Sequence, residues 1–118
     1  MSARPTIVLP GLTVVVARGF WQRLVGLLGR RGLAHDRGLL LTRCNNIHTA
    51  FMRFPIDAVF VDKDARVLAI RSEMAPFQVA VALRASACLE LRSGGALAHD
   101  IAVGDRLEAL LPALGAGR

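Results

Sequence analysis

A stretch of nineteen residues, CNNIHTAFMRFPIDAVFVD, runs from Cys44 to Asp62 and constrains the fold more than any other part of the chain. Proline fixes its own φ and disfavours a helical conformation in the residue before it, so Pro55 predicts an ordered bend at Arg53-Phe54-Pro55. After the bend, four apolar residues stand between Asp57 and Asp62, a pattern typical of a strand covered on both faces. The sequence therefore predicts a set of polar side chains at the rim of a buried strand.

Further strand and helix patterns lie on both sides of this stretch. Apolar or β-branched runs predict strands, and one run with apolar residues at i, i+3, i+4 and i+7 predicts a helix. The predicted strands are residues 6–9, 13–17, 38–42, 57–62, 66–72, 87–92 and 106–111, and the predicted helix is residues 20–28. The strands at 57–62 and 66–72 are expected to form a hairpin in the middle of the sheet. Residues 74–86 fit either an irregular crossover or a short helix.

Local signals also predict turns and the faces of one strand. Asn45-Asn46 and Val103-Gly104-Asp105 are expected to form turns, since short polar side chains and glycine favour them. In the strand at 87–92, alternation places Cys88, Glu90 and Arg92 on one face.

Several motifs together resemble a known family. They are GLLGR (Gly26 to Arg30), GLLLTRCNNIHTAFMRFPIDAVFVD, LEL (Leu89 to Leu91) and VGD (Val103 to Asp105). They are similar to a widespread bacterial and archaeal family catalogued as domain of unknown function number one hundred ninety-two, over roughly residues 18–110. The resemblance implies a mainly β (α+β) fold, a small antiparallel β-sandwich or jelly-roll-like domain with one N-terminal helix. It implies no activity.

The turn after Asp62 departs from the family pattern. The family usually has a glycine there, whereas this chain reads Asp62-Lys63-Asp64-Ala65. Because alanine resists a positive φ, the type or length of this turn is left open.

Length and hydropathy indicate one domain, residues 1–118, with a frayed tail at 112–118. The chain is 53% hydrophobic, but no apolar run approaches the ~20 residues of a membrane span. No membrane association is therefore expected. Pro10-Gly11 interrupts the apolar N-terminal region, which argues against a secretory signal and favours a cytoplasmic location.

The charge is unevenly distributed. The net charge is +6, with +7 on residues 1–53 and −1 on residues 54–118. Such an imbalance is compatible with nucleic-acid binding. However, fourteen of the fifteen basic residues are arginine and no aromatic residues interleave with them for base stacking. Nucleic-acid binding is therefore kept as an alternative.

The candidate ligand-binding residues are polar or thiol side chains near the bend, together with one from the strand at 87–92. They are Cys44, His48, Thr49, Arg53, Asp57 and Glu90. Arg53 could bind a carboxylate or phosphate bidentately, or it could form an internal ion pair with Asp57 or Glu90. We favour a binding module for a small molecule or a polymer, with its site at the 44–57 bend and no cofactor.

Metal binding and catalysis are the other interpretations of Cys44 and His48. Zinc needs three or four ligands, usually from paired short spacings, and only one such pair is present, so no metal is expected. A Cys-His nucleophile would need the imidazole about 3 Å from the sulfur and an orienting group, for which Asp57 or Glu90 could serve. Whether the protein is an enzyme is left open.

Overall fold

A computed structural model of the chain describes residues 6–17, 36–48 and 54–115. These residues form a mainly β structure, as predicted. The strands are β1 (Thr6–Leu9), β2 (Leu12–Ala17), β3 (Arg37–Thr42), β4 (Asn46–His48), β5 (Ile56–Val61), β6 (Val67–Met74), β7 (Val79–Val81) and β8 (Ala87–Arg92). Short helices follow: α1 (Gly95–Ala98), a 3₁₀ turn (Glu108–Leu110) and α2 (Leu111–Gly115).

Six of the strands form one mixed sheet in the order β1-β2-β3-β8-β5-β6, and β4 and β7 form a separate two-stranded sheet, here called the ribbon. β2 and β3 are parallel, while all other pairs are antiparallel. The predicted antiparallel fold is therefore wrong at β2–β3. Two parallel neighbours cannot be joined by a hairpin, so β2 and β3 need a longer crossover connection between them. The predicted N-terminal helix, residues 20–28, lies outside the described residues, whose helices all follow β8.

The hairpin of β5 and β6 is confirmed, but its position is not central. β5 is buried along its whole length, whereas β6 is the edge strand and is exposed over much of its length. The turn has Ala65 at φ 64°, with the Ala65 N–H donating to the Asp62 carbonyl at 3.0 Å. The turn therefore takes the left-handed conformation that favours glycine, with an alanine in the strained position.

The six-stranded sheet is covered on both faces. One face, here called the helix face, carries Val14, Leu40, Val59 and Leu89 and packs against Leu110 and other residues of the C-terminal helices. The opposite face, here called the ribbon face, carries Leu41, Ile56, Phe60 and Cys88. These side chains pack with Ile47 and Ala80 of the ribbon and with Cys44, which precedes β4. β5 is apolar except for Asp57 because both its faces are buried.

The predicted last strand, residues 106–111, is wrong. In this region only an isolated bridge joins Arg66 and Arg106, and the chain then turns helical. The leucines at 107, 110, 111 and 114 have the spacing i, i+3, i+4 and i+7, so a helical period was present beside the alternating one. Burial against the helix face selects the helical option, with Leu110 fully buried.

Candidate functional site

The Asp57 carboxylate is buried and binds three backbone N–H groups. Its Oδ1 accepts hydrogen bonds from Glu73 N–H at 2.8 Å and Gly94 N–H at 3.0 Å, and its Oδ2 accepts one from Ala96 N–H at 2.9 Å. The side chain is 1% exposed. Asp57 thus links β5 to β6 and to the turn that begins α1, and these bonds, with an ionised acceptor, are stronger than neutral ones.

Local irregularities explain why these N–H groups need an acceptor. A register shift between β5 and β6 beside Asp57 produces a bulge, and Glu73 lies there with φ 54°. Gly94, at φ 82°, precedes the first turn of α1, whose N–H groups have no intrahelical partner. A carboxylate in the neighbouring strand satisfies both irregularities at once, which is a structural use of Asp57.

Asp57 and Glu90 lie on opposite faces of the sheet. Asp57 pairs with Leu91 on the helix face, whereas Glu90 pairs with Ala58 on the ribbon face. Residues directly opposite in antiparallel strands share a face, and successive residues alternate. The predicted set of site residues is therefore divided by the sheet.

Glu90 belongs to the ribbon face, as Cys88 does, in agreement with the predicted alternation of β8. It is 2% exposed and interacts with another group of the protein. A carboxylate so deeply buried is kept in place by such interactions.

Cys44 is buried next to the ribbon. Its thiol donates to the Asn46 carbonyl at 2.9 Å, and its N–H donates to the Ser86 carbonyl at 3.2 Å. It packs in the same apolar cluster as Cys88, and no disulfide joins the two. A thiol that donates its proton to a carbonyl is held in the protonated form, whereas a nucleophile must be a thiolate. This geometry therefore favours a packing role.

The other predicted site residues are described only in part. His48 is the last residue of β4, and its backbone pairs with Val79. Its side chain, Thr49 and Arg53 lie outside the described part of the structure. Their proposed roles stay predictions.

β7 and the turns on either side of it carry exposed apolar side chains that the sequence analysis did not identify. They are Phe77 (80% exposed), Val79 (64%), Val81 (56%) and Leu83 (81%), here called the apolar stripe. Ala80, between the two valines, is buried against the ribbon face. The signal was the alternation in FQVAVAL, which the small alanines and the preceding Pro76 made hard to distinguish from a crossover.

Phe77 combines exposure with a strained backbone. Its φ is 65°, in a turn just before β7. A left-handed conformation is unfavourable by about 1–2 kcal/mol for a residue with a Cβ atom, and it is unusual for a bulky one. Neither packing nor local conformation therefore accounts for a phenylalanine at this position.

The charge of the described residues is balanced. They contain eight basic and nine acidic residues, so their net charge is −1. The remaining residues contain seven arginines and no acidic residue, which restores the total of +6. Near the apolar stripe, Arg43 and Arg84 are both exposed.

The described ranges contain neither a metal-ligand cluster nor a membrane-spanning helix. Within residues 6–17, 36–48 and 54–115, no three histidine, cysteine or acidic side chains are grouped as metal ligands would be. In the same ranges, no helix combines the length and the hydropathy needed to cross a bilayer.

Comparisons with known proteins identify a family and two similar folds. The family model DUF192, described as "Uncharacterized ACR", matches residues 6–109. A Sinorhizobium meliloti protein described as a "putative transcription regulator" has 28% identity and a TM-score of 0.71, over 80% of this chain and 79% of that one. A Novosphingobium aromaticivorans protein of unknown function has 24% identity and a TM-score of 0.71, over 86% and 80% of the two chains. No curated protein matched the chain.

Proposed function

This chain belongs to the DUF192 family of uncharacterised proteins, and we propose that it is a binding module whose polymer partner docks on the apolar stripe of the ribbon. The observation that carries the proposal is Phe77, which is 80% exposed at a φ of 65°. In this proposal the ribbon is the second layer of a β-sandwich, which presents the stripe outward.

The apolar stripe resembles a binding surface in composition and continuity. Large apolar residues scattered singly on a surface are ordinary, but a continuous apolar patch marks an interaction site. Aromatic residues, phenylalanine among them, are enriched at interfaces. Strained residues also concentrate at functional sites. Phe77 is aromatic and strained, and the proposal takes the four exposed apolar side chains of the stripe as one patch.

The dimensions of the stripe favour a polymer over a compact ligand. β7 covers Val79–Val81, and Phe77 and Leu83 lie in turns on either side of it, so the four exposed side chains are distributed over seven residues of chain. A small molecule would contact one or two of the four side chains, whereas an extended chain would contact all of them. Asn46, exposed and opposite Val81, adds a hydrogen-bonding group beside the apolar surface.

The 44–57 bend keeps a role in this proposal. β4 belongs to it and forms half of the ribbon. The Cys44 thiol donates to the carbonyl of Asn46 in β4, and the Asp57 carboxylate binds β5 to β6 in the main sheet. The predicted contacts of His48, Thr49 and Arg53 with a ligand stay proposals of their own. A cytoplasmic location also remains a prediction.

Nucleic-acid binding is the main alternative. It draws on the description of the Sinorhizobium meliloti protein and on the arginine excess. The described residues give it little support because their net charge is −1. Retention on heparin and single-stranded DNA that weakens with salt would favour this alternative, since phosphate contacts release counterions.

A peptide-display selection tests the proposed surface. Random dodecapeptides on phage are selected against the full chain, against Val81→Lys and against Val103→Lys, a matched control because Val103 is 62% exposed outside the stripe. Thermal unfolding verifies that all three chains are folded. We expect peptides to be enriched on the wild type and the control, and to be lost on Val81→Lys. A failure to enrich any peptide, or equal retention by Val81→Lys, would overturn the proposal.

A further inference from the structure

The backbone of β7 indicates the kind of partner that the stripe receives. Resting on the proposed function, we infer that the partner is an extended polypeptide that adds as a strand to the open edge of β7. Its acidic group lies at the end of the ribbon marked by Arg43 and Arg84.

The hydrogen bonds of the ribbon define which edge of β7 is open. The Ala82 N–H donates to the Asn45 carbonyl at 2.8 Å, and Ala80 is paired with Ile47. In an antiparallel pair, alternate residues direct their N–H and C=O groups to the partner strand. The corresponding groups of Val79 and Val81 therefore point to the other side of β7. The described part of the chain provides no strand on that side.

An open strand edge is a template for another strand. Its regularly spaced N–H and C=O groups match those of an extended polypeptide, and proteins use this complementarity to bind peptides. Nucleic acids and glycans lack an alternating row of amide donors and carbonyl acceptors. The edge therefore selects a polypeptide from among the polymers that could cover an apolar surface.

The stripe would supply the side-chain contacts for such a strand. The side chains of Val79 and Val81 are exposed on the outer side of β7, beside the open edge, while the side chain of Ala80 packs inward against the ribbon face. Every second side chain of an added strand would lie over the same outer face. Phe77 and Leu83 extend the apolar surface beyond the two ends of β7. A peptide with alternating apolar residues fits this arrangement.

The charges at one end of the ribbon favour an acidic group in the peptide. Arg84 follows the stripe, and Arg43 lies on the other chain of the ribbon, next to the bond between Cys44 N–H and the Ser86 carbonyl. Within the described residues neither guanidinium forms an ion pair. An exposed guanidinium of this kind suits a carboxylate, which it can bind with two parallel hydrogen bonds.

A second copy of this chain fits the same edge less well. If two β7 strands paired antiparallel, the end of one that carries Arg84 would meet the residues before Val79 in the other. These residues are Pro76, Phe77 and Gln78, none of which is acidic. The charge at this end is therefore matched by a different polypeptide and not by a symmetric dimer.

Amide hydrogen exchange tests strand addition directly. The full chain is measured with and without a peptide from the selection on the wild type. We expect bound peptide to slow exchange at Val79 and Val81 at least tenfold, with little change at Ala80 and Ala82, whose bonds to β4 are already formed. We also expect N-methylation of alternate peptide residues to weaken binding at least tenfold, and methylation of the intervening residues to have little effect.

A charge exchange tests the acidic group. Arg84→Glu should weaken the selected peptide at least tenfold, and replacing the acidic residue of the peptide with lysine should restore its affinity for that variant. Arg71→Glu, on the exposed edge strand β6, is the control and should leave binding unchanged. Loss of binding in both arginine variants, or no rescue by the lysine peptide, would overturn the acidic preference.

The outcomes separate this inference from the proposed function. A peptide that needs Val81 but leaves the exchange of Val79 and Val81 unchanged would overturn strand addition and retain the surface. The absence of any selected peptide would overturn the proposed function and the inference with it. Sedimentation of the free chain tests for a dimer, and its co-sedimentation with anionic phospholipid vesicles tests for binding to a membrane surface. A dimer or a vesicle complex that Val81→Lys abolishes would contradict a peptide partner.

Discussion

Replacing Asp57 should destabilise the fold strongly, because three backbone N–H groups share its carboxylate. In Asp57→Ala, the N–H of Ala96 loses its acceptor in a buried position, and those of Glu73 and Gly94 lose theirs in partly buried ones. A buried donor without a partner costs about 1–3 kcal/mol, and a donor that water can partly reach costs less. The sum is about 3–5 kcal/mol, a large part of the stability of an ordinary domain.

Asp57→Asn separates the hydrogen bonds from the volume of the side chain. The amide oxygen can still accept from Glu73 and Gly94, but the NH₂ group would face the N–H of Ala96, and two donors repel each other. We expect a loss of about 2 kcal/mol, since a carboxylate hydrogen bond is replaced by an unsatisfied donor. A residue kept for ligand binding would behave differently, because removing such a residue often leaves stability unchanged or raises it.

Asp62→Ala is the matched control for this series. Oδ1 of Asp62 also accepts two backbone N–H bonds, from Asp64 at 2.8 Å and Arg66 at 3.0 Å, but these lie at the exposed hairpin turn. Water can replace them, so we expect about 1 kcal/mol. The free energy of unfolding is measured by urea titration, with the m-value compared among variants. A loss below about 1 kcal/mol in Asp57→Ala, or one no larger than that in Asp62→Ala, would refute the structural role of Asp57.

Three further predictions concern strain, close packing and thiol reactivity. Ala65→Gly should change the free energy of unfolding by less than about 1 kcal/mol, because relief of the left-handed strain offsets the lost buried methyl group. Ala65→Val should lower it by about 2 kcal/mol or more. Equal stabilities of the two variants in urea titration would contradict this prediction. Gly95→Ala places a Cβ 2.8 Å from Leu91 Cβ and should lower the free energy of unfolding by about 1–3 kcal/mol. Gly115→Ala, where the added Cβ meets open space, should stay within about 0.5 kcal/mol of the wild type. Calorimetry that gives the same stability for both variants would refute the packing argument. Cys44, which is 5% exposed, should react with iodoacetamide roughly tenfold more slowly than a free thiol at the same pH, and a faster reaction would favour the Cys-His enzyme.

The positions of β5 and β8 were predictable because the local pattern and the burial agree there. Residues 58–61 of β5 form a continuous apolar run, which suits a strand covered on both faces, and β8 alternates between residues of the helix face and residues of the ribbon face. The pairing of these strands was less accessible. β6 has an apolar run like that of a central strand, yet it lies at the edge, since the order of strands depends on connections and not on local pattern.

The role of Asp57 could not have been derived from the sequence. Its partners lie 16, 37 and 39 residues away along the chain, and they are backbone groups that any residue carries. Its separation from Glu90 depends on a register in which a shift of one residue would reverse the face. The apolar stripe could have been found in part, because the alternation is present, but the exposure of both valines depends on which side of the ribbon packs inward.

The central claim is that Phe77 is retained for binding and not for folding, and Phe77→Gly tests it most directly. Glycine adopts a φ of 65° without strain, and a side chain that is 80% exposed contributes little burial. We therefore predict that urea titration of this variant gives an unfolding free energy equal to that of the wild type or up to about 1 kcal/mol higher, while its affinity for a peptide selected on the wild type falls at least tenfold. A clear loss of stability together with unchanged peptide affinity would contradict the claim and would assign Phe77 to the fold.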